Sequence, residues 1–311
     1  MNEKAFTASP LPGLPAPGSL HAWILACRPA TLTAAAAPVL VGTAIAAREG
    51  QLDILRFVCS LLGAFCLQIG SNFANDVFDY EKGADTAERL GPTRAVQAGL
   101  VSPRGMKVGM ALVFGIALLA GVYLVSVAGP WLVVIGVASI LAAIGYTGGP
   151  YPLGYHGLGD AFVFLFFGLV AVAGTVFVQL GTVPPLAWLG ALGLGAVTTN
   201  ILVVNNVRDR LTDVTAGKRT LAVRFGRGFA WGEYVGLYVL AYAVPLVAGW
   251  AFGVGPLALL GCATVPLAWA NSRDLARLEG RALNPLLGRS AKVVFLYGAS
   301  LALGLWPWGQ A

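Results

Sequence analysis

The chain has 311 residues, 57% of them hydrophobic and only 11% charged, with a formal net charge of +6 and a mean hydropathy of +0.76. Soluble domains carry about 25% charged residues, so the composition excludes a soluble globular domain and points to a polytopic membrane protein. The apolar runs are continuous, which excludes the alternation of a transmembrane barrel, and the basic residues sit in short connecting segments, which argues against nucleic acid as a partner.

Residues 1–20 are rich in Pro, Ala and Gly and lack the order of a signal peptide; they are expected to form a disordered tail, with 21–311 as a single transmembrane domain. Nine apolar segments follow, at roughly 23–47, 54–75, 106–128, 131–148, 160–180, 185–206, 231–252, 255–271 and 290–308. Backbone groups in lipid must be satisfied within their own segment, so each is a predicted helix. The first span opens with Arg28-Pro29-Ala30-Thr31-Leu32, where Arg28 suits either a snorkelling interface residue or a substrate contact. The second ends in Asn75-Asp76-Val77-Phe78-Asp79, with Asp85 beyond it. Gln68, Asn72, Asn75 and Asp79 recur at three- and four-residue steps and share one helix face. The fourth span closes at Tyr146-Thr147-Gly148-Gly149-Pro150 and leads to Gly157-Leu158-Gly159-Asp160. An interfacial tyrosine and a helix-capping aspartate are ordinary roles for Tyr146 and Asp160. The sixth span ends in Asn205-Asn206-Val207-Arg208-Asp209, then Asp213 and Gly217-Lys218-Arg219-Thr220. Cys27, Cys59, Cys66 and Cys262 lie in or beside apolar runs without metal-ligand spacing and read as packing residues.

The pattern Asn-x-Val-x-Asp thus recurs at 75–79 and 205–209, four spans apart, and each copy is followed by basic residues beside turn residues (Gly91-Pro92-Thr93-Arg94; Gly217-Lys218-Arg219-Thr220). We read an all-α fold of two related four-helix halves plus a ninth helix, around a central cavity open to the cytoplasm. Placing the two motif loops on one side puts every Lys and Arg there except Arg48 and Arg56. That side is then cytoplasmic, as is the N-terminus, and the C-terminus lies outside.

Carboxylates beside membrane spans are costly unless something compensates them. Asn205, Asp209 and Asp213 repeat every four residues, so they share a face as Asn75 and Asp79 do. If the two helix ends face one another, their oxygens form a hard donor set for Mg²⁺, which accepts carboxylates and substrate phosphates together. No His or Cys lies near, which disfavours zinc. Arg94, Lys218 and Arg219 are placed to take the remaining charge of a diphosphate.

Together these motifs resemble the UbiA superfamily of intramembrane aromatic prenyltransferases, from about residue 22 onward. The wording of the loops is most similar to the branch acting on 1,4-dihydroxy-2-naphthoate. Where the wider superfamily often has a third acid, this chain has Gly83, with Asp85 the next acid; the naphthoate branch commonly shows that shift. The resemblance implies Mg²⁺ on Asn75, Asp79, Asp85, Asp209 and Asp213, gripping a polyprenyl diphosphate. It implies that Arg94 and Lys218 neutralise the leaving group, that Tyr146 contacts diphosphate or shields the cation, and that Arg28 meets the aryl carboxylate. Asn72, Asn205, Arg208 and Arg219 complete the substrate-binding set. The implied product is demethylmenaquinol, formed with loss of CO₂ and diphosphate at the inner (plasma) membrane, in menaquinone synthesis. A related enzyme acting on 4-hydroxybenzoate or homogentisate is the alternative. A transporter is the remote one: repeated halves suit it, but acids gathered at one face rather than at the midplane do not.

Overall fold

The computed structural model describes residues 13–84 and 89–308. Ten α-helices carry the fold: α1 (Leu20–Cys27), α2 (Pro29–Arg48), α3 (Ile54–Glu81), α4 (Pro103–Ala128), α5 (Trp131–Gly145), α6 (Gly159–Leu180), α7 (Pro185–Thr215), α8 (Leu221–Phe252), α9 (Val265–Arg277) and α10 (Asn284–Leu305). Seven helices among the described residues are long and apolar enough to cross a membrane. The shorter α5, and α9 with the 3₁₀ segment Pro256–Thr264 that runs into it, occupy the other two places in the nine-span order.

Lipid as solvent lets apolar helices keep their side chains exposed, and the helices differ widely in burial. The strongly apolar α4 is mostly exposed, and α5 buries no residue at all. The less apolar α7 is the buried spine, packed against α8, α6, α10 and α2. Its middle is a run of small residues (Gly190, Ala191, Gly193, Gly195, Ala196), which lets neighbouring backbones approach. At Gly168 of α6 that approach is closest: an added Cβ would lie 2.6 Å from the Ala191 carbonyl oxygen and 2.6 Å from Gly195 Cα. Gly168→Ala must therefore push α6 off α7, at a cost of about 1–3 kcal/mol. The expected result is a lower melting temperature in detergent; an unchanged one contradicts this contact.

The two largest helix pairings are α3 with α4 and α7 with α8, the same pair in each half. The duplicated architecture read from the motifs is therefore present in the packing. The motif helices run past the apolar limits expected at 75 and 206, to Glu81 and Thr215. Both copies of the motif consequently stand on helix rather than opening a loop. Two devices shape this end of the bundle. Arg28 joins α1 to α2 in the left-handed region (φ 50), costing on the order of 1–2 kcal/mol for a residue with a Cβ. Gly226, at φ 82, breaks α8 near its start, so that residues 221–225 lie apart from the main helix axis. The segment before α1 is held too: Gly18 N–H donates to the Leu100 carbonyl, and Leu14 packs on the cluster of Ala22, Phe73 and Val96. Residues 1–12 lie outside the described residues.

Candidate active site at the polar end of the bundle

Asp79 is the hub. Its carboxylate, 2% exposed, accepts from Arg94 Nη2 at 3.1 Å and from Tyr155 Oη at 2.9 Å, and Lys218 Nζ stands 3.9 Å away. These groups come from the first-motif loop, the 146–158 loop and the second-motif loop, so the hub joins both halves. The Tyr155 ring meets two ammonium groups, Lys218 at 4.8 Å and Lys82 at 5.2 Å from its centroid. Lys82 also donates to the Thr147 and Gly149 carbonyls at 2.6 and 3.2 Å. Partial burial lowers the Lys82 pKa, Asp79 raises it and Lys218 lowers it again.

Each arm of the hub has its own brace. Asp76 turns both carboxylate oxygens to backbone N–H groups of the next loop, Ala95 at 2.9 Å and Val96 at 3.1 Å, and so sets Arg94. Arg219 N–H donates to the Tyr155 carbonyl at 2.8 Å, tying the tyrosine loop to the Lys218 loop. Asn75 accepts from Thr147 Oγ1 at 3.0 Å, which seats the turn after Tyr146. The Tyr146 phenol is held above the ordinary tyrosine range, first by burial and then by the charges of Asp160, Asp79 and Asp213. Asp160 is buried, and Asn206 Nδ2 bonds both of its oxygens at 3.4 Å.

The second copy is arranged differently. Arg208, expected beside substrate, is 3% exposed and bidentate on Asp209, at 2.8 Å (Nε) and 2.6 Å (Nη2). Its Nη1 donates to Asn284 Oδ1 at 3.2 Å, and Asn284 in turn holds the Leu90 carbonyl at 2.8 Å. Arg208 thus clamps Asp209 to the first-motif loop. Asn205 bonds its own helix at the Ile201 carbonyl. Asn72 bonds the Cys27 carbonyl and Thr31, and thereby supports the corner that carries Arg28. Arg219 contributes through its backbone, which does the bracing.

The four described residues of the five expected metal ligands do not form one ready shell. Among the described residues no group of three or more His, Cys, Asp or Glu is poised to hold an ion, and Asp85 lies outside those residues. The reason is visible: Arg94, Tyr155 and Lys218 engage Asp79, and Arg208 engages Asp209. The donors nevertheless suit a hard divalent cation. Asp213 is 7% exposed and lies in the field of Lys218 and Arg208 as well as of Asp209 and Asp79. A buried carboxylate in that setting calls for a cation, and the set is all oxygen, as Mg²⁺ prefers. Asp76 stands in the first motif, but off the four-residue face, and its bracing role is not read there. Two residues escaped the motif reading: Tyr155 is an aromatic in a Pro/Gly-rich loop, and Asn284 is far away in the chain. Of these two only Tyr155 left a signal, an aromatic ring in a loop that leads from one polar motif to the next.

The fold and the site together define a membrane-embedded helical protein with a cation-rich polar end. The chain belongs to the UbiA prenyltransferase family, whose model matches residues 35–308. It is 35% identical over 301 residues to the 1,4-dihydroxy-2-naphthoate octaprenyltransferase of Haemophilus influenzae, covering 92% of this chain and 96% of that one. It is 36% identical over 293 residues to the enzyme of that name from Escherichia coli, covering 92% and 95%. Among solved structures, a UbiA homolog from Aeropyrum pernix superposes with a TM-score of 0.69 at 16% identity, covering 88% of this chain and 97% of that one. A UbiA homolog from Archaeoglobus fulgidus bound to DMAPP and Mg²⁺ gives 0.60 at 14%, covering 90% and 99%. These structural likenesses speak for the fold.

Proposed function

We propose that this protein transfers a polyprenyl group from polyprenyl diphosphate to 1,4-dihydroxy-2-naphthoate, releasing diphosphate and CO₂. The observation that carries the donor half is Asp79 ringed by Arg94, Lys218 and Tyr155 at the junction of the two repeats. The acceptor half is supported by relatives of that printed activity at 35–36% identity over nine-tenths of the chain.

Asp79, Asp209, Asp213 and Asn75 would hold Mg²⁺; Asp85, the fifth expected ligand, lies outside the described residues. Bound there, the ion would offset diphosphate charge and favour its departure. Arg94 and Lys218, set beside Asp79, supply further positive charge to the leaving group without reorganisation. The Tyr155 hydroxyl is a hydrogen-bond donor at the same place, and Tyr146 contacts diphosphate or shields the cation. The allylic C–O bond breaks with its electron pair going to diphosphate. The ring carbon that bears the carboxylate forms the new C–C bond, and CO₂ leaves its electron pair in the ring. Apolar helix walls keep water from the allylic cation, and Arg28 meets the aryl carboxylate. In the bilayer, the motif loops and N-terminus face the cytoplasm and the C-terminus lies outside, since Lys and Arg gather at the motif end; residues 21–311 act as one domain.

The test offers purified protein a polyprenyl diphosphate, Mg²⁺ and equal amounts of 1,4-dihydroxy-2-naphthoate and 4-hydroxybenzoate, with products read by mass. A prenylated, decarboxylated naphthoquinol is the expected result. Prenylated hydroxybenzoate that retains its carboxylate would overturn the acceptor while leaving the donor site standing.

A further inference from the structure

The corner between α1, α2 and α3 contains a hydrogen-bond chain whose protons can be counted. The Cys27 carbonyl can only accept, and Asn72 Nδ2 donates to it at 3.0 Å and to Thr31 Oγ1 at 2.9 Å. That fixes the Asn72 amide with its oxygen toward Gln68. Gln68 must answer with its own NH₂, and Nε2 reaches Asn72 Oδ1 at 3.3 Å and Thr31 Oγ1 at 3.2 Å. Thr31 spends its single proton on the Arg28 carbonyl at 2.9 Å. Every donor is now used. One acceptor is left over: Gln68 Oε1, buried, with no hydrogen-bond partner among the described residues, on a residue only 9% exposed. Turning the Gln68 amide over gives no relief, because its oxygen would then face the Asn72 oxygen.

Gln68 lies on the face of α3 that carries Asn72, Asn75 and Asp79, eleven residues before the hub, or about 16 Å along the helix axis. We propose that Gln68 Oε1 is the recognition point for the aromatic acceptor, receiving a hydrogen bond from one of its ring hydroxyls. This rests on the acceptor reading above. Of the two proposed substrates, only the acceptor can answer the orphan. A polyprenyl chain has no polar hydrogen, and an ionised diphosphate offers oxygens that accept. The network is thus polarised toward a hydroxylated ring and against the ether or the unsubstituted ring. Gln68 is a specificity-determining residue on this reading, with Thr31 and Asn72 holding its amide in the required sense.

The test measures prenyl transfer by the full-length protein in detergent, wild type against Gln68→Met. Inhibition constants are taken for 2-naphthoate and for its 1-hydroxy and 4-hydroxy derivatives. Gln68→Met is expected to raise the KM for the dihydroxy acceptor about tenfold or more while leaving the KM for polyprenyl diphosphate unchanged. One monohydroxy analogue should lose affinity with the substitution; the other, and 2-naphthoate, should bind both proteins alike. Equal weakening of all analogues would make Gln68 purely structural, and no change for any would leave its oxygen to a water; either overturns the proposal. Where Gln68→Met does not fold, the wild type carries the test through the two monomethyl ethers of the acceptor. One ether should bind about tenfold more weakly than the other, and equal binding of both overturns the assignment. Wild-type turnover of the dihydroxy acceptor, read in the same assay, reports separately on the parent reading.

Discussion

Asp79→Asn is expected to lower turnover by roughly a thousandfold at saturating substrates, more than any other single change at the hub. The substitution keeps size and one acceptor but removes the charge that three partners from both repeats converge upon. Loss of one preorganised electrostatic group at a charge-developing centre costs about 10²–10³ in rate. Here the same change also frees Arg94, 7% exposed, from its pair. Weakening a buried ion pair from one side is destabilising, so a fall in melting temperature should accompany the kinetic loss. The two effects separate by temperature. Assayed well below the lowered melting point, the variant should remain folded and still be inactive, and its binding of polyprenyl diphosphate with Mg²⁺ should weaken. Activity that tracks the folded fraction would show Asp79 to be a structural anchor only.

The hub explains which parts of the site were legible in the sequence. Asp79, Arg94 and Lys218 stand out because a charge beside a membrane span is expensive, and the Asn-x-Val-x-Asp repeat marks both places. Their meeting follows from the duplication, since α3 and α7 are equivalent helices. Helix ends were less legible. Apolar runs stop near 75 and 206, but backbone hydrogen bonding continues to Glu81 and Thr215 where the chain leaves lipid. Pairings within the polar end were not legible at all. Arg208 reads as one more cation for substrate, yet it is spent on Asp209, its own neighbour, and on Asn284 at the start of α10. Nothing in local spacing distinguishes an arginine that faces substrate from one that neutralises an adjacent acid. The difference lies in where the Leu90 loop and α10 arrive in space. Tyr155 is hidden for the same reason: its loop is placed by a backbone bond from Arg219 that no periodicity announces.

Asp76→Ala should be the most damaging change at a residue that touches none of the reacting groups. Asp76 is 1% exposed, and its two oxygens satisfy the N–H groups of Ala95 and Val96. Alanine leaves both donors buried without partners, at about 1–3 kcal/mol each. The larger consequence is positional. Arg94 immediately precedes those two amides, so the carboxylate that holds them also sets the guanidinium on Asp79. Turnover should therefore fall by about a hundredfold at temperatures where the protein is folded, and Asp76→Asn, whose NH₂ can satisfy neither amide, should recover only part of it. A double-mutant cycle with Arg94→Ala separates placement from general stability. If Asp76 acts through Arg94, adding Asp76→Ala to Arg94→Ala should lower turnover little further. If the two losses multiply, Asp76 serves the fold independently, and the first-motif loop is positioned by Arg208 and Asn284 instead.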